Sequence, residues 1–376
     1  MERQSLDPIR QEQAKKYART THRLLFVQFV FSAVFWSVLL LCGLSEELRG
    51  LWHLPALAAV AVQVLVLMVG YSAMLAPLTF YLGFVLPHRY GLSHQRLKSW
   101  LSDLAKAGML SLVLGLGFIV VIYRLLEDFP ETWWVFVAVL AILITLFLTM
   151  LVPIVIIPLF FKLKPLEDKN LAERLFNLAQ RAGVKIKGIS VINLSAKTSA
   201  GNAMLAGLGK TRRIILGDTV LDRYTADEIE VVTAHELGHH KHQDISRLFV
   251  IQCVLVVVGL YFTSLALHWA TTRLDFAGIS DVAAFPVFVL TLGGISLIAG
   301  PLTNAYSRHL ETAADEYALS LTGNPGAFVD MMTKLTNQNL SDATPARWAE
   351  VLFYDHPPHS KRMAVARRRM AQSDCG

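Results

Sequence analysis

Six stretches of this chain are apolar for about 20 residues or more, at residues 24–44, 55–86, 107–126, 132–160, 246–269 and 282–305, and an α-helix of about that length crosses the hydrocarbon core of a bilayer. In hydrocarbon every backbone N–H and C=O must be satisfied within the segment, so runs of this kind fold as spanning helices. Composition agrees: with 54% hydrophobic and 17% charged residues over 376 positions, the chain cannot clothe a soluble surface. The second and fourth runs exceed what a bilayer needs and are expected to tilt or project from it. Pro77, Pro153 and Pro158 should kink them.

The first 23 residues carry six Lys or Arg, and no small-residue cleavage site follows the first apolar run, which is also too long for a signal-peptide core; it is read as a retained span. Six spans place both termini on one side. The N-terminal segment and the loop bearing Arg89, Arg96, Lys98 and Lys106 are basic, whereas the alternate loops hold only Arg49 and Arg273. The positive-inside rule therefore puts the N-terminus, residues 162–245 and the C-terminus in the cytoplasm. The formal charge of +6 is explained by these topology determinants, and nucleic acid is not expected as a partner. Cys42, Cys253 and Cys375 have neither metal-ligand nor disulfide-framework spacing.

Four parts are expected: a membrane bundle at 1–161, a cytoplasmic catalytic segment at 162–245, two further spans within 246–305, and a cytoplasmic segment at 306–376. In the second part, PLEDKNLAERLFNLAQRAGV reads as an amphipathic helix with an acidic first turn, and KGISVINL and RRIILGD lean towards strand. Thr225 and Glu228 form a T-x-x-E capping box that starts the next helix.

That helix carries His235, Glu236 and His239 in the pattern H-E-x-x-H. Positions i and i+4 share a helix face, so the two imidazoles can hold one ion, and a carboxylate beside them can move a proton between water and a leaving amine. Gly238 is a poor helix former and suggests close approach of another element. Glu228, Glu230, Lys241 and Asp244 are read as ordinary solvated charges of this helix, and His240 and His242 as surface histidines. A catalytic zinc needs a third protein ligand. Glu311, in SRHLETAAD after the sixth run, fits by helical phase, with Glu316 as the alternative. Asp315 lies one turn on, where it can accept a hydrogen bond from a ligating histidine. The loop YDHPPHSKR holds His356 and Arg362, either of which can donate to an oxyanion.

Taken together, PLTFYLGFVLPHRYGLSHQRLKSWLSDLAK, IIPLFFKLKPLEDKNL, GNAMLAGLGKTRRIILGDTVL, AHELGHH, SRHLETAAD and FYDHPPHSKR resemble the CAAX prenyl protease 1 family in order along most of the chain. The resemblance implies a mainly α fold: a polytopic α-helical membrane protein whose six or seven transmembrane helices enclose a chamber, with a small α+β cytoplasmic metalloprotease domain. It implies one zinc ion on His235, His239 and Glu311, with Glu236 as general base and acid and Asp315 behind the ligands. His356 would stabilise the oxyanion, Arg362 would help position substrate or loops, and Asn202 and Ala203 would lie on an edge strand pairing with the substrate backbone. The implied substrate is a peptide or protein C-terminus, with or without a lipid. Eukaryotic members usually carry a further histidine where this chain has Asp244, and the short connection before the motif helix resembles prokaryotic members, in a bacterial or archaeal cell membrane. Two other readings start from the same residues: a quality-control membrane protease of the heat-shock type, and a non-catalytic transporter or scaffold with structural zinc.

Overall fold

A computed structural model describes residues 5–207 and 212–373; Cys375 lies outside them. Six helices among the described residues are long and apolar enough to cross a membrane: Pro8–Leu41, Ala56–Arg89, Leu97–Asp128, Trp133–Phe160, Asp244–Arg273 and Val282–Thr322. Each contains one of the apolar runs or nearly all of it and most continue past it as helix, because polar sequence of good helical propensity flanks the apolar core.

The spans touch in chain order, first to second, second to third and so on to the sixth, and the sixth returns to the first, closing a ring. Their buried residues gather at one end, where Trp36, Val64, Tyr123, Trp133, Leu267 and Phe285 come from all six helices. A short helix, Leu44–Gly50, and an ion pair between Arg49 and Asp281 close that end, and Gln63 donates to the Ser45 carbonyl at 2.9 Å. Along the membrane-length windows only 11–33% of residues are buried.

Two spans widen into a π turn, over Tyr81–Val85 and Val152–Ile156. The cause is proline: Pro87 and Pro158 have no N–H for the carbonyl four residues back, and the residue before each, Leu86 and Ile157, bonds five residues back instead. Pro153 lies inside the second π turn. Pro77 sits within continuous α-helix, so the distortion in the second span belongs to Pro87.

At the other end lies a four-stranded sheet, β1 (Leu163–Pro165), β2 (Gly188–Ile192), β3 (Ala203–Ala206) and β4 (Arg213–Gly217), in the order β1-β2-β4-β3. The β2–β4 pair is parallel; the outer pairs are antiparallel. The helix Lys169–Arg181 packs on it, with Leu171, Leu175 and Leu178 buried. Its acidic prelude does not occupy the first turn as expected. Instead Asp168 caps the helix, accepting from the Asn170 and Leu171 amides at 2.9 and 3.0 Å. The core under the sheet joins Ile214 and Leu216 to Val231 and Leu237 of the motif helix (Ala226–Lys241) and to Phe328 and Met331 of the helix Pro325–Gln338.

Candidate active site

The motif helix begins where the capping box predicted: Glu228 N–H donates to Thr225 Oγ1 at 3.3 Å and the Thr225 N–H to Glu228 Oε2 at 2.7 Å. Glu228 is buried and also pairs with Lys334 at 2.7 Å, so it is not a solvated charge. The helix packs along the sixth span's extension. A Cβ on Gly238 would come within 3.2 Å of Ala314 Cα and of the Tyr317 ring. Hydrogen at that position lets the two backbones meet without displacement, and their contact brings Glu311 opposite the histidines.

His235 Nε2 and His239 Nε2 are 3.1 Å apart. Glu311 Oε2 lies 3.2 Å from the first and Oε1 3.2 Å from the second, and one ligand atom of each residue falls within a 4.8 Å cluster. Glu316, one residue past Asp315, is exposed and takes no part. Behind His235, Nδ1 lies 3.0 Å from Asp315 Oδ1; Asp315 is completely buried and held by both arms of Arg362, with Nε donating to Oδ2 at 2.7 Å. Arg362 therefore reaches His235 through Asp315 and also directly, with a terminal nitrogen 3.4 Å from Nδ1.

His239 has its own orienting acid, which the sequence reading took for a solvated charge. After the motif helix, Gln243 adopts φ 58° and the chain turns into the fifth span. The turn swings Asp244 back beneath the site, buried at 2% exposure, with Oδ2 2.9 Å from His239 Nδ1. The available signal was an acid three residues past the end of a histidine-bearing helix. His240 and His242 lie off this face, and His242 packs edge-on against Tyr317.

These acids make the space between the imidazoles favourable for positive charge. Burial opposes a charged His235, yet the bonds from Asp315 and Glu311 outweigh it and raise its pKa to about 9. Glu236 is half-buried and receives no hydrogen bond from the described residues; burial raises its pKa, against the pull of the neighbouring histidines. His356 approaches from the C-terminal loop. Its Nδ1 is 2.7 Å from Asp355 Oδ1 and its Nε2 3.2 Å from Glu311 Oε1.

Of the trio, His235 lines a cavity of about 540 Å³ whose walls also include Asn202, Ala203, Glu236, His356 and Arg362. Ala203 begins β3, the sheet's edge among the described residues. Asn202 precedes the strand, and its carbonyl accepts from Gly217 N–H at 2.9 Å. Alternation along an antiparallel ladder then turns the Ala203 backbone groups outward. Asn339 was missed from sequence: its amide bridges Gly201 N–H at 2.8 Å and Gly201 C=O at 3.1 Å. Gln338 holds the Ser199 carbonyl at 2.8 Å. Both fix the approach to β3.

A ring of spanning helices that carries a His-His-Glu cluster and a half-buried glutamate on a cavity wall defines an integral-membrane metallopeptidase. Residues 165–370 match peptidase family M48, and residues 3–162 match the CAAX prenyl protease N-terminal domain, described as five membrane helices. The chain belongs to peptidase family M48 and is a membrane metalloprotease related to the CAAX prenyl proteases. Within 8–160 it has four helices of spanning length and composition among the described residues. It is 28% identical over 364 residues to an uncharacterized metalloprotease, YhfN, of Bacillus subtilis, covering 94% of this chain and 85% of that one. A CAAX prenyl protease 1 homolog of Oryza sativa is 28% identical over 77% of this chain and 68% of its own. The crystal structure of S. mikatae Ste24p shares the fold, with a TM-score of 0.79 at 21% identity over 96% of this chain and 90% of that one.

Proposed function

We propose that the protein is a zinc endopeptidase that hydrolyses a peptide bond near the C-terminus of a protein, with or without an attached lipid, at the cytoplasmic face of a prokaryotic cell membrane. The observation that carries this reading is the convergence of His235 Nε2, His239 Nε2 and Glu311 on one point, beside a cavity that His235 and Glu236 line. The donor set fits zinc: two imidazole nitrogens oriented from behind by acids, and one carboxylate, beside a cavity that His235 lines. Glu311 Oε2, buried and facing His235 Nε2 at 3.2 Å, suits a ligand atom. A zinc ion there supplies Lewis acidity towards the scissile carbonyl.

The chain's own groups do the rest. Glu236, with a raised proton affinity, takes a proton from the attacking water and returns it to the leaving amine. His356, its ring fixed by Asp355, directs Nε2 at the cavity, where it donates to the developing oxyanion. Arg362 and Asp315 hold the His235 ring. The outward backbone of Ala203 pairs with an extended substrate, a mode that makes little demand on side chains; Asn202, whose carbonyl is committed to β4, contributes its exposed side chain. The closed ring with sparsely buried spans supports a central chamber through which a tail reaches this face. The basic N-terminus and basic loop support the cytoplasmic orientation.

Replacing Glu236 with Gln in the full-length protein should lower cleavage of a C-terminal peptide by roughly 10²–10⁴-fold while zinc content stays at one per chain. Unchanged cleavage would sink the assignment. Comparison of prenylated and unprenylated peptides then decides the lipid requirement, and protease protection of a C-terminal tag in oriented vesicles decides the face.

A further inference from the structure

A second groove, separate from the catalytic cavity, runs along the seam between the first span and the short helix Arg347–Phe353, with a volume of about 1010 Å³. Its upper wall is basic. Lys15, Arg19 and Arg23 stand at i, i+4 and i+8 on one face of the first helix, all exposed, and none has an ion-pair partner among the described residues. One acid, Asp342, lines the same groove; its Oδ1 accepts from the Thr344 amide at 3.0 Å. Three residues past Arg23 the wall has become apolar. Phe26 is 64% exposed on the first helix and Trp348 59% on the facing one, with Leu352 and Phe353 beside it.

The change from cation to hydrocarbon falls where the helix enters its apolar run, so the groove crosses the bilayer surface. Three cations above an aromatic and aliphatic trough complement one class of molecule, an amphiphile with an anionic head and a hydrocarbon tail. The trough is held in place. Arg10 donates to the Asn337 carbonyl at 3.2 and 3.1 Å, and Gln11 exchanges bonds with Ser341 and Ala343, tying the first helix to the C-terminal segment above the groove. His22 stacks on Phe353 with ring centroids 4.5 Å apart, joining the two walls lower down. We infer that this groove binds a membrane phospholipid with an anionic headgroup, its phosphate among Lys15, Arg19 and Arg23 and its acyl chain along Phe26, Trp348 and Phe353. Asp342 and Tyr354 line both this groove and the catalytic cavity, so the lipid lies against a shared wall.

The test uses the full-length protein reconstituted in vesicles of equal phosphatidylglycerol and phosphatidylcholine, extracted gently, with retained lipid counted by native mass spectrometry. The wild type should retain phosphatidylglycerol in preference. Lys15→Gln/Arg19→Gln/Arg23→Gln should lose that preference by roughly fivefold per cation removed, and Lys15→Arg/Arg19→Lys/Arg23→Lys should keep it at an unchanged melting temperature. Retention of both lipids alike, or undiminished phosphatidylglycerol on the Gln variant, would overturn the inference. A second measurement covers the case where the Gln variant misfolds. Phosphatidylglycerol brominated along its acyl chain should quench the wild type more than Trp348→Phe, and equal quenching overturns the site.

Discussion

Asp244, the first residue of the fifth span, lies 2.9 Å from Nδ1 of His239, and so couples the orientation of an imidazole in the motif helix to the position of a transmembrane helix. Nδ1 donates to this carboxylate, which leaves Nε2 as the free lone pair facing His235 and Glu311. Asp244→Asn keeps the shape but replaces an ionised acceptor with a neutral amide. Zinc affinity is expected to fall about 10–100-fold, read as faster loss of zinc to a competing chelator. Equal loss from variant and wild type would rule out the orienting role.

The same logic on the other side of the site involves a buried ion pair. Asp315 is wholly enclosed and Arg362 is 8% exposed, so Asp315→Asn leaves a guanidinium without its counter-charge. Breaking such a pair costs about 3–5 kcal/mol, and the melting temperature should drop sharply. Asp315→Asn with Arg362→Met should recover much of that stability while peptide hydrolysis stays impaired, because a neutral amide has still replaced the ionised acceptor of His235. Recovery of both together would show that the pair serves stability alone.

Gly238 is where the motif helix meets the sixth span. Valine there must displace Ala314 backbone or the Tyr317 ring, both within 3.2 Å of the first added carbon. Overpacking of this kind costs about 1–3 kcal/mol. It should also move Glu311 away from the histidines, so zinc retention should fall along with thermal stability. A variant as stable and as well loaded as the wild type would contradict the close approach.

Asn339 tests the substrate edge separately from the metal. Asn339→Ala removes the two bonds to Gly201 and loosens the entry to β3. KM for a peptide is expected to rise about tenfold with kcat and zinc content little changed. A fall in kcat at constant KM would place Asn339 in the chemistry instead.

Much of this molecule could be read from its sequence because the signals were local. The six spans announce themselves by length and hydropathy, and the metal pair by i, i+4 spacing. The motif helix announces its start through Thr225 and Glu228. What escaped depended on contacts between distant residues. β1, at three residues, is too short to show a period-2 pattern and exists because β2 offers an edge; β3, at four, was expected only through the family resemblance. Asp244 and Glu228 looked like surface charges on a helical wheel. Their burial comes from the turn at Gln243 and from Lys334, more than 100 residues away. Asn339 and Gln338 sit at a helix end with nothing in their neighbourhood to suggest Gly201 or Ser199 as partners.

The ring also bears on how the protein comes into being. Its spans touch in the order in which a ribosome delivers them, and the last to arrive both meets the first and carries Glu311. A nascent chain that has inserted five spans is an open crescent with two histidines and no third ligand. Synthesis must pass the sixth span before the enclosure shuts and the metal trio is complete, so the hydrolytic centre matures only when the membrane part around it has been finished.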